Sequence, residues 1–76
     1  MSSYKNHKSY RQIRLTPRET EVLKLMIEGK NNTEIARELI ISTHTAKAHV
    51  CNILQKLEVR DRVQAAVKAV REKIVE

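Results

Sequence analysis

Residues 32–57 read NTEIARELIISTHTAKAHVCNILQKL, two apolar-periodic segments joined through Ile40, Ile41 and Ser42. The first runs from Asn32, taken as its N-cap, to Leu39 and sets Ile35, Ala36 and Leu39 on one face. The second is capped by Ser42 and continues to Leu57, with Ala46, Val50, Ile53, Leu54 and Leu57 gathered within about a quarter-turn at 100° per residue. A reversal as short as Ile40–Ile41 makes the two helices cross steeply instead of lying antiparallel. This is the grammar of a helix-turn-helix.

Two more helices extend the pattern on either side. Upstream, Thr16 is an N-cap, Pro17 occupies the first helical position, and Glu19 stands three residues after the cap, closing a capping box. Val22, Leu23, Leu25 and Met26 form that helix's inner stripe with Ile27 at its edge, and Gly29 ends it. Downstream of a polar break at residues 58–60, Asp61 caps a fourth helix. Its residues Val63, Ala66, Val67, Val70 and Ile74 are read as the inner stripe. Ala65 and Ala69 then face outward, small enough for another helix to approach, although alanine is also simply the best helix former. No alternation of the strand type and no internal repeat interrupts this order. The expected class is all-α, a four-helix, bundle-like domain over residues 15–76, preceded by a flexible basic tail or linker over residues 1–14.

The 76 residues suffice for one core and leave no room for a separate catalytic domain. With no Trp or Phe, and both tyrosines ahead of the first periodic segment, that core must be aliphatic. The 15 Lys and Arg against 9 Asp and Glu give a net charge of +6, which attracts a polyanion without saying which and also serves solubility. Distribution says more. Residues 1–14 hold Lys5, Lys8, Arg11 and Arg14 with no acid, and residues 42–57 hold Lys47 and Lys56 with no acid. The single Cys51 cannot form an internal disulfide and no apolar run of membrane-spanning length or signal segment is present, so a reducing cytoplasm and no membrane partner are expected.

Opposite its inner stripe the third helix presents His44, Lys47, Ala48, Cys51 and Gln55. A merely solvated face would normally include acids. Small side chains beside Lys and Gln let a helix backbone sit deep in a DNA major groove while the long ones reach base edges, Lys to guanine acceptors and Gln to adenine. Thr45, His49, Asn52 and Lys56 share a flank between the two faces, where a groove-bound helix passes a phosphate strand. Ser42 and Thr43 add the free amides and dipole of a helix N-terminus, which favour an anion, although Ser42 is also a plain cap. Asn32 and Thr33, at the start of the second helix, complete the expected backbone set.

His44, His49 and Cys51 fall within eight residues, yet His49 is turned away from the other two and no further Cys or acid stands near enough to complete a metal site. Cys51 has no evident base or orienting partner for nucleophilic catalysis. No metal, no cofactor and no enzyme activity are expected. Two rival classes share these features: a protein-interaction module that uses the basic surface to hold an acidic partner, and a sigma-region-like domain of a larger polymerase factor.

Residues 15–66, LTPRETEVLKLMIEGKNNTEIARELIISTHTAKAHVCNILQKLEVRDRVQAA, hold LTPRE, the Gly29 turn, EIA, the IS turn, T-x-K-x-H and KL-x-V-x-x-R in one register. On these linked motifs the chain resembles the DNA-binding effector domain of the LuxR/NarL/FixJ (GerE-like) family. The resemblance implies a bacterial transcription regulator, or the effector domain of a response regulator with a receiver or sensor domain N-terminal to it. It implies a third helix in the major groove of double-stranded DNA, a homodimer on DNA formed by the fourth helix, and RNA polymerase as a further partner. Positions matching Lys47, Ala48 and Cys51 face bases in relatives, and those matching Thr45 and Lys56 serve the backbone. Ala65, Ala69 and Glu72 are the expected dimer residues. Relatives usually carry Val where this chain has Ala46, which thins the packing between the second and third helices by roughly 1 to 2 kcal/mol. Cys51 replaces a polar or basic residue of some relatives, so a target sequence cannot be copied from them.

Overall fold

The computed structural model describes residues 13–75, and the basic residues Lys5, Lys8 and Arg11 of the expected tail lie outside them. Four helices follow in order, α1 (Pro17–Ile27), α2 (Asn32–Leu39), α3 (Thr43–Leu57) and α4 (Arg62–Arg71), with no strand among the described residues. Each begins with a side-chain cap. Thr16 and Asn31 both make complete capping boxes, with Glu19 and Glu34 at the third helical position, while Ser42 and Asp61 accept the amides of Thr45 and Gln64. The cap of α2 is therefore Asn31, one residue before the Asn32 expected from sequence. Only Asn31 has a glutamate three residues on to return the bond, at 2.8 Å in each direction.

All four helices also end alike. The amides of Lys30, Ile41, Val59 and Ile74 reach back to the carbonyls of Leu25, Ala36, Leu54 and Ala69, and the residue before each, Gly29, Ile40, Glu58 or Lys73, has positive φ. This is Schellman closure, which satisfies the otherwise orphaned carbonyls of a helix end. Ile41, Val59 and Ile74 then pack against the core. Glycine suits the left-handed position, and a β-branched residue suits it least. Ile40 nevertheless sits there at φ 57°, with 89% of its surface exposed. Replacing Ile40 with asparagine should therefore relieve backbone strain while losing no packing. The expected gain is about 1 kcal/mol, or several degrees in Tm, and a lower Tm would show that the side chain stabilises the turn.

The core is aliphatic, built from Val22, Leu23, Leu25 and Met26 of α1, Ile35 and Ala36 of α2, and Ala46, Val50, Ile53 and Leu57 of α3. The helix α3 touches each of the other three, so its orientation is set from all sides but one. Ile13 and Leu15 pack against the same core.

Ile74 of the expected inner stripe packs on the core, but the face of α4 itself departs from the sequence expectation. Ala65 and Ala69 are fully buried, whereas Val63, Val67 and Val70 are 69%, 50% and 61% exposed. The physical reason is close approach: α4 packs on both α1 and α3, and methyl side chains let its backbone come near both. Ala65 and Ala69 are thus core residues and cannot form an outer, helix-binding surface. Two cations tie α4 in place. The Arg62 guanidinium donates to the Lys30 carbonyl at 2.9 Å and to the Asn32 amide oxygen, and the Lys68 ammonium donates at 2.8 Å to the Leu57 carbonyl at the end of α3.

Candidate nucleic-acid interface

The helix α3 is amphipathic in an unusual sense. Its inner stripe is aliphatic and buried, and its outer surface is free of acids from Thr43 to Leu57. His44, Lys47, Ala48, Cys51 and Gln55 are all exposed. Ala48 and Cys51 are the low ground of this face, and Lys47 and Gln55 rise beside them with long, hydrogen-bonding side chains.

At the start of α3, Ser42 Oγ accepts the Thr45 amide and donates to Thr45 Oγ1, both at 2.9 Å. A hydroxyl that accepts one bond keeps its own hydrogen to donate, so Thr45 can still give a hydrogen bond to an external acceptor. Thr43 is exposed in the same first turn, where the helix dipole favours negative charge. Along the flank, Asn52 is exposed and His49 half-buried. Thr33 is exposed in the first turn of α2. Asn32 is half-buried, and because its oxygen is engaged by Arg62, what it offers outward is its amide N–H groups.

Lys56 departs from the sequence expectation of a phosphate contact. Its ammonium donates to Glu19 Oε1 at 2.7 Å and to the Arg14 carbonyl at 3.0 Å, and its side chain is only 38% exposed. The same carboxylate oxygen accepts the Thr16 amide at 3.0 Å, so Glu19 serves the cap of α1 and the last turn of α3 together. A single-helix wheel does not show the buried acid on another helix that pairs with its charge. Arg62 and Lys68 have no role in the sequence expectation, and Glu19 has only that of the capping box. The signal for Glu19 was its place in the capping box, where one oxygen of a carboxylate still has lone pairs to spare.

Burial works to raise the pKa of Glu19, but the hydrogen bonds from Lys56 and Thr16 and the nearby ammonium charge outweigh it and hold the carboxyl below its ordinary value. A depressed folded-state value means that the ionised carboxylate contributes stability above the unfolded value, near 4.5, and that this is lost as pH falls through the folded value. The Glu19→Gln variant should accordingly show a flatter loss of stability below about pH 4.5 than the unaltered chain. Acid titration followed by circular dichroism reads this directly, and identical acid limbs would remove Glu19 as the titrating group.

Over residues 14–69 the chain matches the family described as bacterial regulatory proteins, luxR family. It is 56% identical over 61 residues to the transcriptional regulatory protein LiaR of Bacillus subtilis (strain 168), which covers 80% of this chain and 29% of LiaR. It is 47% identical over 62 residues to the response regulator protein VraR of Staphylococcus aureus (strain NCTC 8325 / PS 47), covering 82% of this chain and 30% of VraR. The chain thus spans under a third of the length of these curated relatives. Among solved structures, the transcription factor GerE superposes with a TM-score of 0.72 at 35% identity, over 83% of this chain and 92% of GerE. The response regulator ChrA of a heme-sensing two-component system superposes with a TM-score of 0.79 at 31% identity, over 92% of this chain and 35% of ChrA.

Proposed function

The chain belongs to the luxR family of bacterial regulatory proteins, and from that premise we propose that it binds double-stranded DNA sequence-specifically, with α3 in the major groove, as a transcription regulator or as the effector domain of a response regulator. The observation that carries this reading is the acid-free, exposed outer face of α3. His44, Lys47, Ala48, Cys51 and Gln55 face the bases, with Lys47 as the principal reader. Asn32, Thr33, Ser42, Thr43, Thr45, His49 and Asn52 position the helix on the phosphate strands. Lys56 acts from behind, holding α3 to Glu19 and Arg14.

On DNA the domain pairs two-fold, with half-sites about one helical turn apart. The exposed valines Val63, Val67 and Val70 replace the buried alanines as the apolar part of that contact, with Glu72 at its edge. Val67 and Val70 also line a shallow groove with Ile27, so the apolar surface continues onto α1. The regulatory reading brings RNA polymerase and a cytoplasmic setting with it, and no helix among the described residues is long and apolar enough to cross a membrane.

Selection from random duplex DNA across a range of salt concentrations tests the proposal. Enrichment of one short motif, present twice at a fixed spacing, is the expected result. No enrichment at any salt would instead favour a module that uses the same scaffold to hold an acidic protein.

A further inference from the structure

Asn32 opens α2, and the side chain that holds it comes from Arg62, the first residue of α4. One guanidinium nitrogen donates to the Lys30 carbonyl at 2.9 Å and the other to Asn32 Oδ1, and both Asn32 and Arg62 are half-buried. The Lys30 amide in turn donates to the Leu25 carbonyl at 3.0 Å, so the turn on which Arg62 leans is itself closed onto α1. A guanidinium carries donors only. The carboxamide atom turned toward it is therefore the oxygen, and the Nδ2 group is directed away. Among the described residues nothing accepts from Nδ2. An unheld asparagine is roughly two-fold about its last torsion and presents oxygen or nitrogen alike. Only the nitrogen suits a phosphate, since the oxygen would set partial negative charge against an anion.

Resting on the proposed groove-bound α3, which brings the start of α2 onto a phosphate strand, we infer that Arg62 is a positioning residue for DNA binding: it fixes the Asn32 carboxamide so that Nδ2 donates to a phosphate oxygen. Its role runs through Asn32 and not through a contact of its own. A cationic donor on the amide oxygen also polarises the group and makes its N–H bonds better donors. Lysine is no substitute, because one ammonium lacks the planar fork that engages two acceptors in fixed directions. Val63 follows Arg62 directly, so the same guanidinium ties the valine stripe proposed for pairing to the phosphate contact of α2. The contact adds affinity and register but no base preference, because phosphates carry no sequence information.

The test is a double-mutant cycle on the duplex selected by the unaltered chain: Arg62→Lys, Asn32→Ala and the two together, read as binding constants at one salt concentration and separately as Tm. Asn32→Ala should weaken binding on the order of tenfold, the loss of one hydrogen bond to a charged acceptor. Arg62→Lys keeps the charge but loses the fork, and should cost about fivefold. The double variant should bind within about twofold of Asn32→Ala alone, because the lysine then has nothing left to misplace. All three should keep the preferred motif. Asn32→Asp retains the oxygen that Arg62 needs and removes only the donor, so it should match or exceed the original Tm and still lose about tenfold or more in binding. A merely structural Arg62 would cost the same factor with or without Asn32. Multiplied losses in the double variant, or undiminished binding by Arg62→Lys or Asn32→Asp, would therefore overturn the inference while leaving the reading of α3 intact. A direct phosphate contact by Arg62 would instead show as a fall of about 0.9 in the salt slope of Arg62→Gln, where a change of no more than a few tenths is expected. Failure of the unaltered chain to select any duplex would sink both.

Discussion

Lys47→Ala is expected to weaken binding to the selected duplex by about 1 to 3 kcal/mol and to relax base preference at one position of each half-site. The argument rests on the company that Lys47 keeps. It is exposed at the middle of the outer face of α3, with Ala48 beside it and Cys51 one turn on, and neither neighbour holds the groove floor away from the helix. A lysine on such a face reaches guanine O6 and N7, and truncation leaves those acceptors without a partner. Thermal stability should hardly change, since exposed substitutions outside special sites stay within about 0.5 kcal/mol. A uniform loss across all sequences, with the motif unaltered, would reassign Lys47 to the phosphates.

The second large effect concerns α4. Ala69 is fully buried, so Ala69→Glu would put a carboxylate where no water and no room exist for it. The cost should be roughly 4 kcal/mol or more. A domain of 76 residues has only roughly 4 to 11 kcal/mol to lose, so this variant is expected to be largely unfolded by circular dichroism at 25 °C. Val67→Glu places the same charge two residues earlier, at a position half-exposed to solvent. It should fold with near-normal Tm yet fail to occupy both half-sites together, because the charge interrupts the valine stripe proposed for pairing. The reverse pattern, a stable Ala69→Glu and an unfolded Val67→Glu, would restore the face expected from the sequence.

That reversal marks where the sequence stops being legible. Helix starts could be read almost residue by residue, because an N-cap is a local transaction between a side chain and an amide three positions away. Even the displaced cap of α2 was decidable, since Glu34 returns a bond to Asn31 and not to Asn32. The inner faces of α1 and α3 were legible as well, because polar residues leave only one apolar stripe on each. In α4 both candidate stripes are apolar, so periodicity alone does not decide which one is buried. Close contact with two other helices selected the methyl groups instead.

The helix ends show the same limit from another side. Gly29 announces its turn, but Ile40, Glu58 and Lys73 take the same left-handed conformation without any residue preference to mark them. The ion pair of Lys56 was not foreseen, because the acid that holds it comes from 37 residues away. Local chemistry was readable, and pairings across the fold were not. The outer face of α3 is the favourable case, since an exposed face is read from its own helix alone.

Groove insertion by α3 can be observed most directly through the backbone amide resonances of the isotopically labelled domain as the selected duplex is added. The largest shifts should fall between Thr43 and Gln55, centred on Lys47, Ala48 and Cys51, with smaller ones at Asn32 and Thr33. Shifts confined to α4 or to the outer surface of α1, with the amides of residues 43–55 unmoved at saturation, would contradict it.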